Sequence, residues 1–102
     1  NSEKYDFILE HKNNFIKVQV KTANFFDKLG DRYMASVFSG RFNSAKKYIK
    51  KDVDYICVYV PVTKDWYIIP TKSLDTLNIS VYPHKQSGAK YEKFKNAWSI
   101  IK

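Results

Sequence analysis

A chain of 102 residues that is 44% hydrophobic and 17% aromatic is long enough for one small core and too apolar to remain disordered. Eighteen Lys and Arg against ten Asp and Glu leave a formal charge of +8 and a pI near 9.5, which favours an anionic partner, nucleic acid first. No apolar run approaches the ~20 residues of a membrane-spanning helix, no signal-peptide pattern opens the chain, and a lone Cys57 with only His11 and His84 excludes an internal disulfide and argues against structural zinc. A cytoplasmic location is expected, beside the nucleoid if DNA is the partner.

The first predicted strand alternates Tyr5, Phe7 and Leu9 with Asp6, Ile8 and Glu10. The second alternates Ile16, Val18 and Val20 with Phe15, Lys17, Gln19 and Lys21. A turn symmetric about Lys12-Asn13 sets Tyr5 against Val20, Phe7 against Val18 and Leu9 against Ile16, which makes one hairpin face wholly apolar. The same register puts Asp6 opposite Gln19, with Lys21 as its diagonal neighbour about 7–8 Å away. A slip of one residue would push Asp6 onto the apolar face, so burial itself holds the register. No Asn-Gly pair fixes the turn type.

Residues 22–31 read as an irregular connection, and Arg32 to Phe38 as a third strand with Tyr33, Ala35 and Val37 in phase. Ser39 to Asp54 is the densest basic segment. Tyr55 to Val60 is apolar, aromatic or β-branched throughout and suits a central strand covered on both faces, with Cys57 a buried thiol. Asp65 to Ile69 pairs back on it as a second hairpin closed by Pro70. Thr71 to Leu77 suggests a short helical turn capped by Thr71, and Asn78 to Tyr82 a short edge strand. Residues 83–89 form a loop, and Tyr91, Phe94, Ala97, Trp98 and Ile101 recur at helical spacing, which predicts an amphipathic C-terminal helix docked on the sheet. With no repeat or linker, the expected architecture is one α/β domain over residues 1–102.

An aspartate on one strand of a hairpin, followed on the next by an acid or amide, any residue and lysine, resembles the signature of the PD-(D/E)xK nuclease superfamily. Here it reads Asp6 … Gln19-Val20-Lys21. The wider phrase Tyr5-Asp6-Phe7-Ile8, Lys17 to Ala23, Asp54-Tyr55 and Trp66-Tyr67-Ile68-Ile69-Pro70 is similar to the branch that contains group I intron homing endonucleases. The resemblance implies a restriction-endonuclease-like fold with a central mixed sheet and the C-terminal helix packed on it. It departs from the common pattern at Gln19, where most members carry Glu or Asp, and it leaves no room before Asp6 for the N-terminal helix of many members, so a further segment or another chain is expected to cover one face.

The resemblance also implies a metal-dependent endonuclease acting on double-stranded DNA, with Asp6, Gln19 and Lys21 as catalytic residues. Mg²⁺, with Mn²⁺ as a substitute, would be held by Asp6, the Gln19 amide oxygen and the Val20 carbonyl, and the Lys21 ammonium would stand beside the attacking water. Each of the three taken alone is an ordinary strand-end or exposed polar position, and only their convergence favours a site. Asp54 reads first as an acceptor for backbone N–H groups and second as a helper of the metal. Arg41, Asn43, Lys46, Lys47, Lys50 and Lys51 are the candidate DNA contacts. Trp66 and Tyr67 suit core packing better than base stacking, and Tyr91, Phe94 and Trp98 read as core. One site per chain and two strands to cut predict a homodimer or higher homo-oligomer. The alternatives are a Holliday-junction resolvase, a catalytically silent DNA-binding or assembly module of the same fold, and an RNA-binding domain.

Overall fold

The computed structural model of the protein describes residues 6–39, 46–47, 53–85 and 88–101. Its strands are β1 (Phe7–His11), β2 (Asn14–Thr22), β3 (Phe25–Asp27), β4 (Arg32–Ser36), β5 (Phe38–Ser39), β6 (Lys46–Lys47), β7 (Tyr55–Val60), β8 (Asp65–Pro70) and β9 (Asn78–Val81). The main sheet has the order β1-β2-β7-β8, a second sheet the order β3-β4-β9, and β5 pairs with β6 in a short ribbon. The main sheet is mixed: β1–β2 and β7–β8 are antiparallel, β2–β7 parallel.

The first hairpin takes the register that its apolar phase dictates, with Phe7 opposite Val18 and Leu9 opposite Ile16. Its two-residue turn has Lys12 at φ 52° and Asn13 at φ 67°. Two left-handed residues make the turn whose twist matches that of the flanking strands. Asn13 tolerates this conformation, whereas Lys12 bears its steric cost.

β2 meets β7 through a clamp at one end, where the Lys17 N–H donates to Asp54 Oδ2 at 2.9 Å and the Asp54 N–H donates to the Lys17 carbonyl at 2.8 Å. The Ala23 N–H reaches the Tyr59 carbonyl at the other end, at 2.8 Å. With β2 on one side and β8 on the other, β7 is central, and Ile56, Cys57, Val58 and Val60 are buried.

Alternation sends the strand residues to two layers. On one face Ile16, Val18, Cys57 and Ile68 form a small cluster, edged by Leu9, Tyr55, Trp66, Ile100 and Ile101. On the other, Ile56, Val58, Val60, Tyr67 and Ile69 pack against Ala35, Val37, Ile79 and Val81 of the second sheet. That cover lies over β7 and β8.

Several expectations are corrected. The C-terminal segment is not an α-helix but two 3-10 turns, Glu92–Phe94 and Trp98–Ile100. Between them Lys95 is extended and bridges Tyr67 of β8, and Asn96 is left-handed at φ 52°. The Asn96 side chain accepts from the Trp66 N–H and donates to Asp65, so the segment is tied to the sheet edge where a helix would have continued. Two short turns reproduce the apolar spacing of one amphipathic helix, with Tyr91 and Phe94 buried as expected; Trp98, however, is half exposed. Thr71 caps nothing: it is the first residue of a 3-10 turn, Thr71–Ser73, and its hydroxyl is buried without a hydrogen-bond partner among the described residues. Residues 22–31 are not wholly irregular, since β3 pairs there with β4, and the strand expected from Arg32 to Phe38 breaks at Val37, whose N–H turns to the Leu77 carbonyl. β9 is an edge strand, as its length suggested.

Candidate active site

Asp6 stands just before β1 and is anchored by its own N–H, which donates to the Val18 carbonyl at 2.8 Å. Its carboxylate turns across the hairpin: Oδ2 accepts the Val20 N–H at 2.7 Å and Gln19 Nε2 at 3.1 Å. Asp6, Gln19 and the Val20 backbone are therefore one hydrogen-bonded unit. The even-numbered backbone groups of β2 face β1, which is why the Val20 N–H lies beyond the start of β1 and needs a side-chain acceptor.

Lys21 lies two residues beyond Gln19 on the same face. Partial burial pulls its ammonium below the ordinary lysine value of 10.5, and the nearby Asp6 charge opposes that fall. The Asp6 carboxylate and the Lys21 ammonium therefore share one electrostatic neighbourhood. Asp6 is exposed, while Gln19, Val20 and Lys21 are partly buried, so the unit opens to solvent on the half of the sheet that, among the described residues, the second sheet covers least.

A carboxylate from Asp6, a carboxamide from Gln19 and the peptide carbonyl of Val20 would offer a divalent ion hard oxygens only. Such a donor set matches what Mg²⁺ asks of a protein, which is one or two carboxylates with the remaining positions left to water and phosphate. It is a sparse set: among the described residues no three His, Cys, Asp or Glu side chains come together as a metal cluster. Gln19 presents its amide N–H end to Asp6, as expected when two oxygens would otherwise face each other.

Asp54 serves as an acceptor for backbone N–H, at Lys17. Glu10 is exposed at the far end of the hairpin, opposite Phe15. Of the expected DNA contacts, Lys46 and Lys47 are placed by their backbone in β6, opposite Ser39 and Phe38; Arg41, Asn43, Lys50 and Lys51 lie outside the described residues, as does Tyr5. Tyr67 is fully buried and Trp66 partly so, its ring tilted against that of Tyr59 at 4.7 Å between centroids. Sequence reasoning passed over Ile8 and Phe15, two large apolar side chains exposed on the Gln19 face. The available signal was their phase, opposite to that of Leu9, Ile16 and Val18.

A family model described as PD-(D/E)XK endonuclease matches residues 1–100. No curated protein sequence matches the chain. Among solved structures, a bacterial homing endonuclease, I-Ssp6803I, is similar with a TM-score of 0.81 at 20% identity, over 99% of this chain and 73% of that one. At that identity the likeness speaks for the restriction-endonuclease-like fold.

Proposed function

The chain belongs to the PD-(D/E)XK endonuclease family, and from that premise we propose that it is a metal-dependent endonuclease that hydrolyses phosphodiester bonds of double-stranded DNA. The observation that carries this reading is the Asp6 carboxylate gathered with Gln19 and Val20 beside Lys21, on the open half of a sheet in a chain of net charge +8. Asp6, the Gln19 carboxamide and the Val20 carbonyl are the groups that would hold a divalent ion, Mg²⁺ or Mn²⁺. What such an ion contributes when bound is positive charge against the phosphoryl oxygens and a lower pKa for an attacking water.

The chain's own residues do the rest. Asp6 is fixed before any substrate arrives, because its backbone and its carboxylate are each held by β2. Preorganisation of this kind spares the reorganisation that a flexible carboxylate would need in the transition state. The Lys21 ammonium stabilises charge as it builds on the phosphate and favours deprotonation of the nucleophile. The basic segment between Ser39 and Asp54 supplies the DNA contacts, with Arg41, Lys46, Lys47, Lys50 and Lys51 on phosphates and Asn43 at a groove edge. Two copies supply two sites for two strands, and the protein works inside the cell, where its DNA lies. A catalytically silent DNA-binding module is favoured by one observation, the neutral Gln19 in place of an acid.

Nicking of supercoiled plasmid with Mg²⁺, with Mn²⁺ and with chelator separates the two readings. Ion-dependent cleavage by the wild-type chain, lost in Asp6→Ala and in Lys21→Ala, is the expected result. Salt-dependent DNA binding without cleavage would leave the silent module.

A further inference from the structure

Asp6, Ile8 and Glu10 of the first hairpin share a face with Gln19, Lys17 and Phe15, which stand opposite them. Ile8 is 47% exposed and Phe15 72% exposed, although neither is needed for the apolar cluster on the opposite face. Water-facing Ile and Phe on an edge hairpin of a soluble fold are a liability unless something covers them. The half of the sheet they occupy is the one that carries the candidate site. Phe15 and Gln19 are four residue steps apart on one strand, roughly 13 Å at 3.3 Å per step.

A phosphate seated beside the Lys21 ammonium therefore brings the rest of that hairpin under the same duplex. The major groove is about 12 Å wide and admits a two-stranded β-ribbon. Toward the turn the exposed groups on this face are Ile8, Phe15 and one carboxylate, Glu10, and Lys12, Asn13 and Asn14 are exposed at the tip itself. Phosphates would repel that carboxylate, whereas the groove floor offers it the amino groups of cytosine and offers the apolar side chains the methyl groups of thymine.

We infer that the outer face of the β1–β2 hairpin, with Ile8, Glu10 and Phe15, is a base-reading surface that lies in the major groove next to the cleavage site. The inference rests on the proposed DNA-cleaving function and assigns the sequence preference to residues outside the Asp6, Gln19 and Lys21 unit. Base readers and phosphate contacts differ in a measurable way: loss of a phosphate contact flattens the salt dependence of binding, and loss of a base contact relaxes sequence preference.

The test is enrichment from a pool of random duplexes retained by the protein in chelator, read by sequencing, together with the salt dependence of retention of the unselected pool. The wild-type chain is compared with Phe15→Ala, Glu10→Ala and a control on the opposite face, Trp98→Ala; all three positions are exposed, and unchanged thermal melting certifies the fold. The expected result is a preference shown by the wild type and by Trp98→Ala, lost or altered in Phe15→Ala and Glu10→Ala, with the salt slope of Phe15→Ala unchanged. Retention without any sequence preference in the wild type, or a preference that survives both hairpin substitutions, overturns the inference and leaves the nuclease reading intact. A wild-type chain that retains no duplex in any salt overturns the nuclease reading itself.

Discussion

The two halves of one sheet face have opposite fates. Over β7 and β8 the residues Ile56, Val58, Tyr67 and Ile69 lie under the second sheet with no exposed surface. Over β1 and β2 the same face carries Ile8, Phe15, Gln19 and Lys21, partly or largely open to water. The strands are neighbours in hydrogen-bond register, Gln19 beside Ile56 and Lys21 beside Val58, so the change from core to site happens within one inter-strand step of about 4.8 Å. A polar cluster placed at the border of a core gains a rigid floor while being only partly desolvated, so its groups are held in place and still reachable from solvent.

The sharpest way to test the contrast is to remove charge from the open half. Asp6→Ala and Lys21→Met should each lower plasmid cleavage by about 10²–10³-fold, while duplex retention and the melting temperature of Lys21→Met stay near the wild type and Asp6→Ala, which also strips the Val20 N–H of its acceptor, melts lower. The covered half should respond in the reverse sense. Ile69→Ala, at a fully buried position, should cost about 2–5 kcal/mol in urea unfolding, and any loss of cleavage should follow the unfolded fraction.

Between the halves lies the Asp54 clamp. Asp54→Ala strips the Lys17 N–H of its acceptor at 2.9 Å and should cost about 1–3 kcal/mol. A metal-binding role for Asp54 would instead show as lost cleavage at unchanged stability.

The pH dependence of cleavage tests Lys21 more gently. Its folded-state pKa lies below 10.5, so the ammonium is lost at lower pH than that of an ordinary lysine. Cleavage that needs this charge should fall early on the alkaline side. Stability should move the opposite way: between the folded and the unfolded pKa the unfolded chain binds more protons, so this group makes folding more favourable as pH rises through that window. The smallest effect expected is at the hairpin turn, where Lys12→Asn relieves a left-handed lysine and should raise stability by about 1 kcal/mol.

How legible these halves were in the sequence follows from the range of the contacts involved. The first hairpin could be read because two alternating runs and a short turn admit one register that buries Leu9, Ile16 and Val18 together, and the Asp6–Gln19 contact comes with it. β7 announced itself through an unbroken apolar run. The second sheet was harder, because β3 is three residues long with Phe25 and Phe26 both exposed, and nothing local marks such a strand. The C-terminal segment misled because spacing of apolar residues reports which side faces the core and not how the backbone gets there; Asn96, free to adopt a left-handed φ and placed to bond Trp66 and Asp65, was the residue that spoke against a helix. For Ile8 and Phe15 the local sign was a phase opposite to that of Leu9, Ile16 and Val18, but whether that face is covered depends on the second sheet, a tertiary matter.

The pairing of β2 with β7 also orders events in time. Phe7 finds Val18 across 11 residues of chain, since 18 − 7 = 11, whereas Val18 finds Tyr55 across 37, since 55 − 18 = 37. Short hairpins close in about 1–10 μs, and non-local strand pairing is far slower because the entropy of a long loop must be lost first. By this ordering Asp6 and Gln19 meet while β7, itself able to pair locally with β8, has yet to join β2, and its arrival turns an early, marginal hairpin into a fixed platform.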